Sequence, residues 1–194
     1  LYDAISGGFK QLKETFDNIR EMKIIGTFLI AFWMYEDGVA TIVRMAAKIA
    51  SSLGFAAGDI ITAILMVQFI GFPAALGYNW FAKKIGTKNA VLVAILAYVV
   101  ITFLGYLMTD ITHFYILAAL IGLFQGGIQS LSRSLFTRLV PLNKEAEFFG
   151  FYNMLGKFAA VVGPILVGWI TVLTGNPRVG ILSIVVLFIF GGLL

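Results

Sequence analysis

Cysteine is absent, which excludes disulfides, thiol nucleophiles and thiolate metal sites. The single histidine, His113, stands alone in a short loop, where an imidazole is a solvated side chain rather than a ligand. Charge is scarce: Asp, Glu, Lys and Arg together make up 12% of the 194 residues. That leaves little from which to build a hydrated surface. What is present is apolar. Hydrophobic residues account for 60% of the chain, and the mean hydropathy is +0.95. The apolar residues fall into six stretches, at 24–46, 58–80, 89–109, 114–137, 147–172 and 179–194. A bilayer-spanning helix needs roughly 20 mostly apolar residues. Runs of this length satisfy their backbone in lipid as helices. The expected fold is therefore all-α and integral to a membrane, with six transmembrane helices.

The charges between the stretches set an orientation. Lys10, Lys13, Arg20 and Lys23 precede the first span, Lys83, Lys84 and Lys88 follow the second, and Arg133, Arg138 and Lys144 follow the fourth. If the spans alternate, these ten residues share one side, and Arg44, Lys48 and Arg178 lie on the other. Ten against three is a positive-inside bias. The N-terminus is thus expected in the cytoplasm, for a protein of a prokaryotic plasma membrane. The net charge of +4 is then a topology signal, and no nucleic-acid partner is expected.

Residues 1–23 read as a separate unit, and 24–194 as the membrane domain. Phe9, Leu12, Phe16 and Ile19 recur at helical spacing among charged residues, which predicts a cytoplasmic amphipathic helix over 9–23. The chain opens at Leu1, and its last apolar run is only about 16 residues long, short of a usual span. The expectation is a piece of a longer protein.

Ionisable groups inside a span cost roughly 2.5–3.5 kcal/mol each at its centre and usually face a bundle interior or a cavity. The first span holds Glu36, Asp37, Arg44 and Lys48. Asp37, Thr41, Arg44 and Lys48 share one helix face, with Trp33 one turn earlier. Lys48 reaches the outer interface by snorkelling, and Arg44 could do the same. Asp37 is too short to do so, and Gly38 beside it permits local unwinding. Lys157 lies inside the fifth span, aligned with Gly150 and Asn153. Lys157 and Asp37 could pair, or each could face the cavity separately. The fourth span carries Gln125, Gln129 and Arg133 on one face, and Gly122, Gly126, Ser130 and Ser134 on another. That second face is a packing ridge, because small residues let helices approach closely. Kinks are expected at Gly71-Phe72-Pro73 and at Gly163-Pro164.

No catalytic constellation appears, so no enzyme activity, cofactor or metal is expected. Gly150 to Lys157 superficially matches a phosphate loop. Its glycine spacing is one residue too long, and Phe158 stands where such loops carry Ser or Thr.

The loop Asn79-Trp80-Phe81-Ala82-Lys83-Lys84-Ile85-Gly86-Thr87-Lys88 resembles the second copy of the major facilitator loop motif, G-x-L-a-D-r-x-G-r-k. Lys84, Gly86 and Lys88 match it, whereas Asn79 replaces the first glycine and Lys83 the acid. Three longer stretches carry a more specific likeness: Phe32-Trp33-Met34-Tyr35-Glu36-Asp37-Gly38-Val39-Ala40-Thr41-Ile42, Gly126-Gly127-Ile128-Gln129-Ser130-Leu131-Ser132-Arg133-Ser134-Leu135, and Glu145-Ala146-Glu147-Phe148-Phe149-Gly150-Phe151-Tyr152. With Gly163-Pro164 they resemble the vacuole-effluxer-like permease branch of the major facilitator superfamily. The resemblance implies the C-terminal half of a twelve-helix fold, built as two inverted three-helix repeats. It implies that the first and fourth spans line a central cavity and the second and fifth flank it. The third and sixth would face lipid.

The function so implied is a secondary transporter half that moves a small solute, possibly an amino acid, by alternating access. Asp37 would be a proton or cation site. Lys157, Gln125 and Gln129 would serve a carboxylate-bearing solute, with Trp33, Thr41, Arg44, Arg133 and Asn153 as further pathway candidates. The expected partners are the bilayer, the solute, and either the N-terminal six-helix half or a second copy of the chain. The alternative is a non-transporting membrane scaffold that assembles through the small-residue ridge.

Overall fold

A computed structural model describes residues 22–141 and 144–194. The amphipathic stretch expected at 9–23 lies outside the described residues up to position 21. Eight helices run through the rest: α1 Lys23–Ser52, α2 Ala57–Ile85, α3 Thr87–Leu107, α4 Ile111–Leu139, α5 Glu145–Phe158, α6 Val162–Thr174, α7 Pro177–Leu182 and α8 Ile184–Leu193. There are no strands among the described residues.

Among the described residues, four helical stretches are long and apolar enough to cross a membrane: Ala57–Ile85, Thr87–Leu107, Ile111–Leu139 and Glu145–Thr174. Helix α1, at 30 residues, exceeds the length a span needs, but Glu36, Asp37, Arg44 and Lys48 dilute its hydropathy. The final pair, α7 and α8, forms a shorter apolar stretch over Pro177–Leu193.

Local chemistry explains the helix ends. Gly86 joins α2 to α3 at φ 89°, a backbone region where a side chain would clash. Asp110 caps α4, its carboxylate accepting the His113 N–H at 3.0 Å. That amide, with the imidazole alongside, holds the Asp110 carboxyl below the usual carboxylate range. Gly175 closes α6 in the left-handed region, and Asn176 with Pro177 starts α7.

Helix α1 runs through the centre of the packing, against α8, α4 and α5. The Tyr35 hydroxyl donates to Ser132 Oγ at 2.7 Å, and Ser132 donates on to the Ile128 carbonyl, tying α1 to α4. Rings from three helices stack beside this link: Phe28 on Phe136, Phe136 on Tyr152, and Tyr152 on Phe32 at 4.1 Å between centroids. Gly38 does not unwind α1, which stays continuous. A Cβ there would lie 2.8 Å from the Phe188 ring, so Gly38 is where α8 crosses α1.

Helix α2 lies along α4, and the small-residue ridge is the reason. A Cβ on Gly126 would sit 2.7 Å from the Gly71 carbonyl, and one on Gly122 would sit 2.9 Å from that of Val67. The outer face of α2 is bare and apolar, with Ile61, Leu65, Phe69, Phe72 and Leu76 exposed. It ends at Trp80, whose ring carries the Lys84 amine 3.8 Å from its centroid. The helix continues through Pro73. Helix α3 buries Ala90, Ala94, Tyr98 and Ile101 on one side and exposes Leu96, Val100 and Leu107 on the other.

The fifth stretch differs most from expectation. The span predicted at 147–172 breaks into α5 and α6 at Ala159–Val161, with Ala160 at φ 98°. The break precedes Gly163-Pro164. Pro164 instead occupies the first turn of α6, where its missing N–H leaves no bond unmade.

Candidate functional site

Three helices each present a pair of residues one turn apart to the same cleft. Phe32 and Glu36 come from α1, Gln129 and Arg133 from α4, and Asn153 and Lys157 from α5. Tyr152 and Gly156 complete the wall. The i, i+4 spacing places each pair on one face of its helix. The cleft holds about 430 Å³, within the range of small-molecule sites. Its floor is aromatic, formed where Phe32 stacks on Tyr152.

Its polar groups are of three kinds. Glu36 supplies a carboxylate, and one of its oxygens accepts from Gln129 Nε2 at 3.2 Å. Its other oxygen is buried without a protein partner. Arg133 and Lys157 supply cations. Arg133 donates to Asn153 Oδ1 at 3.4 Å and lies over the Phe149 ring. Among the described residues neither cation has a carboxylate within ion-pair distance, and the one such contact joins His113 to Asp110. Gln129 and Asn153 supply amides. Elsewhere on α1 and α4, Trp33 Nε1 and Gln125 Oε1 are buried with no protein partner. A buried polar atom left unpaired costs about 1–3 kcal/mol.

Four sequence candidates, Gln129, Arg133, Asn153 and Lys157, thus meet in one cleft, whose lining includes neither Trp33 nor Gln125. Asp37 and Thr41 lie elsewhere. Asp37 is fully buried and turned from the cleft, because consecutive helical residues point about 100° apart. Its carboxylate lies in the break of the fifth stretch. Oδ1 accepts the Ala160 N–H at 2.8 Å, Oδ2 accepts that of Val162 at 2.9 Å, and both accept from Gly163. Thr41 Oγ1 donates to Oδ1 at 3.2 Å. Asp37 therefore makes no ion pair with Lys157. Arg44 and Lys48 are exposed on α1, with no hydrogen bond or ion pair to the cleft. The cleft acid is Glu36, which sequence reasoning placed in the first span but not among the pathway candidates. Its one available signal was position, four residues after Phe32 on the turn that Trp33 also serves.

The loop-motif residues form a second feature. Asn79, Lys83, Gly86 and Thr87 line a polar hollow with Ser134 and Arg138 at one end of the bundle. Lys88 lies beside Lys23 at the mouth of a neighbouring apolar groove. Lys84 is engaged by Trp80 instead. Of the basic residues assigned by sequence to one side, Lys23, Lys83, Lys88 and Arg138 thus gather at one end of the helices.

Residues 2–194 match the family described as vacuole effluxer Atg22 like. An uncharacterized MFS-type transporter, YxiO of Bacillus subtilis, is 36% identical over 96% of this chain and 44% of its own length. Autophagy-related protein 22 of Yarrowia lipolytica is 31% identical over 97% of this chain and 34% of its own length. The Saccharomyces cerevisiae protein of the same name is 29% identical over 90% of this chain. The chain spans less than half the length of these curated relatives.

Proposed function

Since the chain belongs to the Atg22-like vacuole effluxer family, whose members are transport proteins of membranes and not enzymes, we propose that it is one six-helix half of a secondary transporter. It moves a small solute by alternating access, together with a second six-helix half. On this reading α7 and α8 form the sixth crossing, and the end bearing Lys23, Lys83, Lys88 and Arg138 faces the cytoplasm.

The observation that carries the proposal is the cleft built by α1, α4 and α5. It sets one carboxylate against two cations, with amides between them and an aromatic floor below. A zwitterion with a small side chain, such as an amino acid, matches this layout. Its carboxylate goes to Arg133 and Lys157, and its ammonium to the Glu36 carboxylate. The coupling cation, if there is one, is best placed at Glu36. The scaffold alternative loses its interface, because Gly122 and Gly126 are already covered by α2.

The test is flux of radiolabelled amino acids into liposomes holding the full-length protein. Hydrogen bonds to charged groups contribute about 1.5–3 kcal/mol each, so Arg133→Met or Lys157→Met should raise KM about 10–100-fold. Flux that is absent, or indifferent to both substitutions, rejects the assignment.

A further inference from the structure

We propose that Asp37 is the positioning residue of a hinge in the fifth membrane segment, fixing the joint about which α5 carries Asn153 and Lys157 over the cleft. The role in transport rests on the function proposed above; the latch itself does not.

A helix N-terminus is a ready-made anion site, because its first amides point outward and its dipole is positive there. In α6 that site has a resident anion. The Asp37 carboxylate takes the amides of Ala160, Val162 and Gly163. Pro164 has no amide to offer, and the Ile165 N–H returns to the Val161 carbonyl at 3.4 Å. The first turn is thus fully accounted for, and no amide remains there to receive a solute. Both Asp37 oxygens are surrounded by donors, so neither is placed to receive a coupling cation.

The same bonds hold a backbone that would not hold itself. Ala160 adopts φ 98°, which a residue with a Cβ keeps only when its surroundings impose it. Its amide is one of those that Asp37 binds. The clamp and the unfavourable backbone therefore meet at one residue.

The two sides of the joint are anchored differently. Helix α6 packs on α7, α8 and α1, and Gly180 of α7 approaches it so closely that a Cβ would meet Thr171. Helix α5 packs chiefly on α1, through the Tyr152 ring on Phe32, with the Phe149 ring against Phe136 of α4. So α6 is the fixed side and α5 the arm, and the arm bears one of the cleft's three residue pairs. Glu36 and Asp37 are neighbours on one rigid helix. One faces the solute and the other the joint, so α1 links the two.

The test uses the full-length protein with all other cysteines removed and spin labels at Ala146→Cys on α5 and Val172→Cys on α6. Electron–electron distance measurement should give one narrow distribution in the parent. Asp37→Ala should broaden it, and millimolar formate, a free carboxylate of the right size, should narrow it again. Asp37→Asn keeps the shape but turns an N–H toward the amides, and should broaden it less. It also serves if Asp37→Ala does not fold. In liposomes with radiolabelled amino acids, Asp37→Asn should lower the maximal rate by about tenfold and leave KM within about twofold. An unchanged distance distribution in both variants overturns the hinge, whatever the flux. So does Asp37→Asn flux that keeps full solute exchange and loses only its response to an ion gradient, since Asp37 would then be a coupling site. Broadening reversed by formate in a parent that carries no flux leaves the latch standing and rejects the transport reading instead.

Discussion

Gly163→Ala puts a methyl group where the structure has no room for one. The added Cβ would lie 2.9 Å from Asp37 Oδ1 and 2.8 Å from Thr41 Cβ, and closer still to Thr41 Oγ1. These neighbours are not flexible chain ends. Asp37 is clamped by three amides and Thr41 is buried on the same helix. Overpacking of this kind costs about 1–3 kcal/mol. The Gly163 N–H must also move off both carboxylate oxygens, and a hydrogen bond to a charged group contributes about 1.5–3 kcal/mol. The two together predict a loss of about 3–5 kcal/mol. Gly168→Ala, on the same helix, is the control, because a Cβ there meets nothing within 4 Å. Replacing a mid-helix glycine by alanine should stabilise by about 0.5–1 kcal/mol. Chemical unfolding of both variants in detergent, followed by helical circular dichroism, measures the difference. Adding Thr41→Ala removes the nearest clashing atom and should recover part of the loss. Equal stability of Gly163→Ala and Gly168→Ala would refute the geometry of the joint.

Single cysteines at Lys88 and Gly175 should label with membrane-impermeant reagents from opposite sides, and labelling from one side would overturn the crossing pattern. Gly126→Leu should separate α2 from α4 and cost at least about 2 kcal/mol, read by thermal aggregation in detergent, since even a Cβ would lie 2.7 Å from the Gly71 carbonyl. Asp110 is held below the usual carboxylate range by the His113 amide, so its cap acts above the unfolded-state pKa and fades as pH falls through the lower folded one. Protection of the His113 amide from exchange, relative to its intrinsic rate at each pH, should accordingly fall at acid pH, and Asp110→Asn, which caps without a charge, should remove that dependence.

Periodicity and charge made much of this legible. Helices α2, α3 and α4 stand where uninterrupted apolar runs predicted them, because a long run has one way to satisfy its backbone in lipid. The polar pairs of α4 and α5 were visible because intramembrane charges and amides are rare. The ridge of Gly122 and Gly126 packs as its spacing suggested. Two features were not legible. Glu36 and Asp37 are adjacent acids, and only the packing of α6 decides which of them meets the cleft. The break at Ala159–Val161 carries no glycine or proline of its own. It exists because Asp37, more than a hundred positions away in sequence, captures its amides. The nearby Gly163-Pro164 pair drew attention to the wrong side of the joint, since proline in a first helical turn disturbs nothing.

The bare face of α2 also works as a depth gauge. From Ile61 to Trp80 it rises about 28 Å at helical pitch, close to the ~30 Å hydrocarbon core of a bilayer. Asp59, bonded to the Tyr115 hydroxyl, marks one edge, and the Lys84 amine over Trp80 marks the other. Gly71 lies near the middle of that slab, and Gly126 of α4 touches it there. Gln125 is therefore level with the bilayer midplane, and Gln129 and Arg133 step from it toward the Trp80 edge. A molecule held between Arg133 and Glu36 would sit on the Trp80 side of that midplane. The lysine on its indole thus does more than decorate a loop: by marking how deep α2 sits, it marks the depth of the cleft in the bilayer.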